Sequence, residues 1–260
     1  MRLSADKQLQ MAHYYAETGL AKRLKTIHVH ESDIKFDMDK IYADLRSPHA
    51  KEIHLNENQQ MGVMTALQNK ITLITGGPGT GKTTLLKKLL SILDHNKISY
   101  KVAAPTGRAA KRITEGTGRY ASTIHRLLEF DVSTMRFTHN ENNALKLQYL
   151  IVDETSMIDV FLAHSLVKAV PLNAHIIFIG DHDQLPSVGP GNFLKDMLNS
   201  KAFATVYLTE IFRQAQDSLI VINAHRVNKG EFPTPFLPEA RKDFLYLKED
   251  NPETIIDHLK

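Results

Sequence analysis

Gly76-Gly77-Pro78-Gly79-Thr80-Gly81-Lys82-Thr83 is a run of small residues closed by a lysine and a hydroxyl. Glycines at these spacings let the backbone take positive φ and turn successive N–H groups onto one anion. The apolar run 71–75 precedes the loop, and Thr84-Leu85-Leu86-Lys87-Lys88-Leu89-Leu90 continues it as a helix-compatible stretch. That is the strand, turn and helix setting in which a loop holds phosphate at the positive end of a helix dipole. Lys82 then reaches the β- and γ-phosphates of a nucleoside triphosphate, and the Thr83 hydroxyl holds Mg2+. Thr84 closes the nucleotide-binding stretch as helix surface or as a supporting hydrogen bond.

Three further groups could complete phosphoryl chemistry. Leu150-Ile151-Val152-Asp153-Glu154 is an apolar strand ending in two carboxylates. Asp153 is placed to hold magnesium through a water, and Glu154 to orient and deprotonate the attacking water; a helix N-cap with a solvated partner is the other reading. Gln184, in Gly180-Asp181-His182-Asp183-Gln184-Leu185-Pro186-Ser187-Val188-Gly189, can hydrogen-bond the γ-phosphate or its water, and a turn-stabilising role competes. Arg213 is a planar cation of the kind that stabilises charge on a transferring phosphoryl group, with a helical ion pair to Glu210 as its alternative.

Composition bounds the rest. The chain has 260 residues, 42% hydrophobic, enough for a soluble α/β core. No run is long enough to span a bilayer, and Met1-Arg2-Leu3-Ser4-Ala5-Asp6-Lys7 lacks a secretory h-region. The absence of cysteine excludes disulfides and fits a reducing compartment, so a cytoplasmic location without membrane partners is expected. Of thirteen histidines, the sets His28-Val29-His30 and Asp181-His182-Asp183 lack a third ligand at a recognisable spacing and read as surface or structural. A net charge of +3 permits nucleic-acid binding without arguing for it. Gly107-Arg108-Ala109-Ala110-Lys111-Arg112 and His125-Arg126 place cations behind one strand, where a phosphodiester backbone or plain solvent could meet them.

The elements that must position these groups alternate along the chain. Residues 1–50 form a helical N-terminal segment with Met11, Tyr14, Tyr15, Leu20 and Leu24 on one apolar face. Asn56 with Gln59 has capping-box spacing ahead of Val63, Met64 and Leu67. Apolar runs at 71–75, 99–104, 149–152, 175–179 and 205–208 are separated by amphipathic stretches such as 157–170, which indicates a parallel sheet with helices on both faces. Ligands of such sheets sit beyond the carboxyl ends of the strands, where the motifs above fall. Residues 131–147 are polar and read as a hairpin or loop insertion. A helix at 217–229 and a strand at 244–247 are expected near the carboxyl end.

Taken in order, these motifs resemble the RecD/TraA group of superfamily-one DNA helicases, from about Leu55 to Gln214. The most specific stretches are 75–83, Ala104-Pro105-Thr106-Gly107-Arg108-Ala109-Ala110, Thr123-Ile124-His125-Arg126-Leu127-Leu128, Asp153-Glu154-Thr155-Ser156-Met157 and 180–189. The resemblance implies an α/β fold, a RecA-like P-loop NTPase lobe at 51–212, preceded by the helical segment and followed at 213–260 by the start of an incomplete second lobe. It implies ATP and Mg2+, movement along single-stranded DNA in the five-prime to three-prime direction, and a role in recombinational repair or conjugation. By the same resemblance Gln59 reads the adenine edge, in competition with its capping role. Pro105, Thr106, Gly107, Arg108, Thr123 and His125 line the DNA path, and Arg213 is an arginine finger supplied within the chain. Nothing after Arg213 matches the family's later motifs, so the chain reads as ending inside the second lobe. A non-motor nucleotide-binding or assembly subunit of a nuclease-helicase complex, with other subunits as partners, is the alternative function.

Overall fold

The strands of the main sheet are apolar on both faces, and period-two alternation sends successive side chains into two separate cores. In the computed structural model, which describes residues 5–46, 54–211, 217–235, 237, 240–241 and 243–245, six parallel strands run β1 (Ile71–Gly76), β2 (Tyr100–Ala104), β3 (Ser122–Thr123), β6 (Tyr149–Val152), β7 (His175–Gly180) and β8 (Ala204–Leu208). Their spatial order is β3-β2-β6-β7-β1-β8. Ile71, Leu73, Leu150, Val152, Ile176 and Phe178 face one core; Ile74, Ile151, Ile177, Ile179, Val206 and Leu208 face the other.

Helices cover both faces. On the second face lie α2 (Met38–Arg46), α3 (Glu57–Gln68), α4 (Lys82–His95) and α5 (Gly107–Thr117); on the first lie α1 (Ala5–Val29), the short α6 (Ile124–Leu127), α7 (Val160–Lys168) and α8 (Phe193–Ser200). The core stripe of α1 is Ala16, Leu20, Leu24 and Ile27. The expected face through Met11, Tyr14 and Tyr15 is corrected: all three are exposed, and the two tyrosines meet edge to face at 5.8 Å. Their spacing from Leu20 does not follow the i, i+4, i+8, i+11 line that the helix buries. α1 packs along α7, with Gly19 so close to His164 that an added Cβ would lie 2.6 Å from its ring.

All five expected sheet strands are present. The sixth, β3, has two residues and carries no run long enough to read. The polar insertion contains a hairpin of β4 (Phe130–Asp131) and β5 (Arg136–Phe137). Residues Met1–Glu210 form one compact unit and Ile211–Lys260 another. The second contains α9 (Leu219–Asn228), capped by Ser218, whose hydroxyl accepts from Val221 N at 3.3 Å. Phe244 and Leu245 carry no strand, and the remainder of the expected 244–247 strand lies outside the described residues. No helix among the described residues is long and apolar enough to cross a membrane.

His175, at the amino-terminal edge of β7, stacks on Tyr149 at 4.5 Å and is buried. Its Nδ1–H donates to Asn69 O (2.9 Å), so its Nε2 accepts from the Ser32 hydroxyl (2.7 Å), tying the segment after α1 to the sheet. Burial, helped by the charge of Lys70, lowers its pKa from 6.5 to about 4. The unfolded chain therefore takes up this proton first as pH falls, and stability is lost between those values. The loss from this one site is at most on the order of 3 kcal/mol. His175→Gln should flatten that dependence, read as the urea midpoint at pH 7.5 and pH 5.

Candidate active site

The strand β1 delivers the phosphate loop to the carboxyl edge of the sheet, and α4 begins at Lys82 with Gly81 as its N-cap. Gly79 (φ 76°) and Gly81 (φ 79°) hold the left-handed turns that aim N–H groups inward. Thr80 is buried, its hydroxyl donating to Gly77 O at 2.8 Å. The Lys82 ammonium donates to the carbonyls of Gly76 (2.5 Å) and Gly77 (3.0 Å), which places the cation at the mouth of the loop. Thr83 is exposed at the start of α4, and its methyl faces Gly116 of α5, where an added Cβ would lie 2.7 Å away. Thr84 is half-buried.

The two carboxylates do not stand on the neighbouring strand. β7 lies between β1 and β6, paired in parallel with both, so a gap one strand wide separates Lys82 from the acidic pair. Asp153 Oδ1 accepts from Glu154 N at 2.8 Å. Desolvation pushes the Asp153 pKa up from 3.8 to about 6; the neighbouring Glu154 charge adds to the rise, while that hydrogen bond and Lys82 oppose it. Glu154 sits at φ 56°, ψ 40°, a left-handed conformation uncommon for a residue with a Cβ and costing on the order of 1 kcal/mol. Behind it Thr155 is buried, its hydroxyl donating to Ile179 O at 2.8 Å. Gly180 makes this approach possible, since a Cβ there would lie 2.5 Å from Thr155 Oγ1.

Gln184 lies on the exposed loop after β7, and its Oε1 accepts from the Ser156 hydroxyl at 3.2 Å. Gln59 is fully buried. It makes the capping box with Asn56 (2.8 and 3.0 Å), and its Nε2 donates to Gly81 O at 3.0 Å, fastening α3 to the phosphate loop. Asn56 in turn donates to Glu210 Oε2 at 2.9 Å. Arg213 lies outside the described residues.

Pro105, Thr106, Gly107 and Arg108 follow β2, and Thr123 and His125 follow β3. Because Ala104 pairs with Thr123, the two turns lie side by side at the same sheet edge. Both threonines are N-caps: Thr106 Oγ1 accepts from Ala109 N (3.2 Å) and Thr123 Oγ1 from Arg126 N (3.1 Å). Pro105 and Thr106 are half-buried, and Gly107 and Arg108 are exposed. The exposed ring of His125 packs against Phe130 (5.6 Å) and Phe137 (5.5 Å) of the β4–β5 hairpin. Sequence reasoning missed Thr155 and Ser156 as supports, although both lie in the quoted 153–157 stretch. It also missed the Asn56–Glu210 contact, which no local spacing announces.

The donor set fits a triphosphate with a divalent cation. The turns are glycine-built, the single ammonium and the α4 amino end face the same edge, and Thr83 and Asp153 offer the oxygen ligands that Mg2+ takes.

A profile of the AAA domain family matches residues 59–190. The ATP-dependent RecD2 DNA helicase of Deinococcus radiodurans is 39% identical over 179 residues, which are 69% of this chain and 24% of that protein. The RecBCD enzyme subunit RecD of Mycolicibacterium smegmatis is 36% identical over 227 residues, covering 76% of this chain and 40% of that one. Among solved structures, a Pif1 helicase from Candida albicans matches with a TM-score of 0.53 and 25% identity, over 70% of this chain and 46% of that chain. The chain thus spans less than half the length of these relatives.

The raised pKa of Asp153 has a stability consequence. The folded state holds this proton more tightly than the unfolded one, so stability falls as pH rises from 3.8 through 6. Asp153→Asn should therefore stabilise the fold at pH 7.5, by about 1–3 kcal/mol. Chemical denaturation should show that gap closing as pH approaches 4.

Proposed function

Because the chain belongs to the AAA domain family and is RecD-like in sequence, we propose that it is the ATP-hydrolysing motor lobe of a DNA helicase, moving along single-stranded DNA. The observation that carries this reading is the alignment at one sheet edge of the Lys82 loop after β1, the Gln184 loop after β7 and the Asp153-Glu154 pair after β6. ATP is the substrate. Lys82 neutralises charge on the β- and γ-phosphates, and Gln184 orients the attacking water. Glu154 takes that water's proton on its carboxylate as the new P–O bond forms and the bond to the β–γ bridging oxygen breaks. Thr83 and Asp153 would hold Mg2+, which when bound offsets charge on the phosphate oxygens. Gln59 is the base-proximal residue in this reading, buried beneath the phosphate loop that it fastens through Gly81 O. Arg213 supplies the second cation to the γ-phosphate.

Single-stranded DNA lies along the turns after β2 and β3. The backbone N–H groups at the starts of α5 and α6 and the cap hydroxyls of Thr106 and Thr123 meet its phosphates, and Arg108 adds charge. His125 offers an aromatic edge beside the path. Residues 213–260 begin the second lobe, which must close on the first for translocation. Association with other subunits follows the relatives named as RecBCD enzyme subunits.

In the full-length protein a single-stranded oligonucleotide should raise ATP turnover; an identical rate with and without DNA would remove the motor reading. Glu154→Gln should lower kcat by at least about 100-fold while ATP still binds, and Lys82→Ala should abolish binding or turnover. Arg108→Ala should weaken DNA binding and reduce its salt slope by roughly one unit with nucleotide affinity unchanged. Unchanged DNA affinity in that variant places the strand elsewhere.

A further inference from the structure

Asp181, His182 and Asp183 bring three potential ligand atoms within 4.8 Å of one another, yet the histidine is committed elsewhere. Its backbone N–H donates to Thr75 Oγ1 at 3.2 Å, and the Thr75 hydroxyl donates back to its Nδ1 at 2.9 Å. Nε2 then carries the ring hydrogen and faces Asp183 Oδ1 at 3.5 Å. On another side the ring meets Tyr207 of β8 edge-on, at 6.0 Å and 85°. Thr75 is fully buried and is the last residue of β1 before Gly76. One side chain therefore joins the strand that feeds the phosphate loop, the edge of β8 and the loop that carries Gln184 two residues further on.

Around Gln184 that loop has little apolar anchorage. Leu185 and Val188 are 87% and 108% exposed, so apolar burial does not fix its path. Among the described residues, the polar ties of its turn at 181–184 are the Asp183 N–H to Asp181 Oδ1 bond (3.0 Å), the Gln184 N–H to Asp181 O bond (3.3 Å), the Ser156–Gln184 bond (3.2 Å) and the double bond to Thr75; further along, Pro190 O accepts from Val160 N at 2.9 Å. The first two are local to the turn. Of the ties within 181–184, the Ser156 and Thr75 bonds reach the ends of other strands: Ser156 follows the acidic pair and Thr75 precedes the phosphate loop.

We propose that His182 is a positioning residue, which locks the Gln184 loop to the root of the phosphate loop through Thr75 so that Gln184 is held in register with the phosphates bound there. The proposal rests on the ATP-hydrolysing reading for its catalytic consequence; the mechanical tie itself does not. His182 acts through Gln184 and touches no reacting atom.

Two series of variants in the full chain test it. The amide carbonyl of His182→Asn stands where Nδ1 stands and keeps the Thr75 bond, whereas His182→Gln reaches the Nε2 position and loses it, as does His182→Leu. Thr75→Ser keeps the hydroxyl and Thr75→Val removes it. Without nucleotide, amide hydrogen exchange at residues 182–185 should quicken about fivefold or more in His182→Leu, His182→Gln and Thr75→Val, and stay within about twofold of the parent in His182→Asn and Thr75→Ser. In ATP turnover, His182→Leu should lower kcat about five- to tenfold with KM within about twofold. Combined with Gln184→Ala, it should be no worse than Gln184→Ala alone.

Parent-like exchange in His182→Leu overturns the tie. Faster exchange with an unchanged kcat, or an additive double variant, overturns positioning through Gln184. If the parent neither binds nor hydrolyses ATP while the exchange pattern appears, the ATP reading fails and the catalytic half of the proposal falls with it, leaving the tie supported.

Discussion

Parallel hydrogen bonding of β7 to both β1 and β6 is the constraint on which the candidate site depends. Thr75 pairs with Gly180, and Val152 with Phe178, so the phosphate loop, the Gln184 loop and the acidic pair all leave the sheet at one edge, the acidic pair two residues earlier than the Gln184 loop. A slip of one residue on β7 would exchange Ile176 and Phe178 with Ile177 and Ile179 between two different cores, and would carry the Gln184 loop out of line with both neighbours. Burial on both faces is what forbids that slip. The alignment of these loops is thus maintained by apolar packing well below the edge of the sheet from which they emerge.

At the edge itself the local preferences point the other way. Asp153 is desolvated beside a second carboxylate, Glu154 is in a left-handed conformation, and a Cβ at Gly180 would strike Thr155. The first two cost on the order of 1–3 kcal/mol each where they stand, and the third is avoided by the glycine. They persist because Thr155 is anchored to Ile179 O and because Leu150, Ile151 and Val152 are fully buried immediately before the turn. Burial and the Glu154 charge outweigh the Glu154 N–H bond and Lys82 in setting the Asp153 proton.

Much of this was legible in the amino-acid order because the two-faced strands are continuous apolar runs too short to be buried helices. The phosphate loop, the acidic pair and the Gln184 loop each follow such a run directly, so placing the strands placed the motifs. Features held by contacts distant in sequence were not legible. β3 is two residues long and exists because β2 offers it an edge. Met11, Tyr14 and Tyr15 were apolar enough to suggest a core face, but α1 meets the sheet along Ala16, Leu20, Leu24 and Ile27, and small Ala16 carries little signal. Gln59 shows the opposite difficulty: its capping spacing was readable and is realised, yet the same side chain also fastens the phosphate loop through Gly81 O, 22 residues away. His182 read as structural, and only the fold could say which strand it grips.

The same geometry bears on how the two halves of the proposed activity could share one lobe. α5 begins at Gly107, beside the proposed DNA path, and its eleven residues span about 16 Å. Near its far end Gly116 lies against the methyl of Thr83, the residue that follows Lys82 at the start of α4. Glycine within a helix costs roughly 0.5–1 kcal/mol relative to alanine, but alanine here would press its methyl into Thr83. The helix therefore touches both the turn that would meet DNA and the residue that would hold Mg2+.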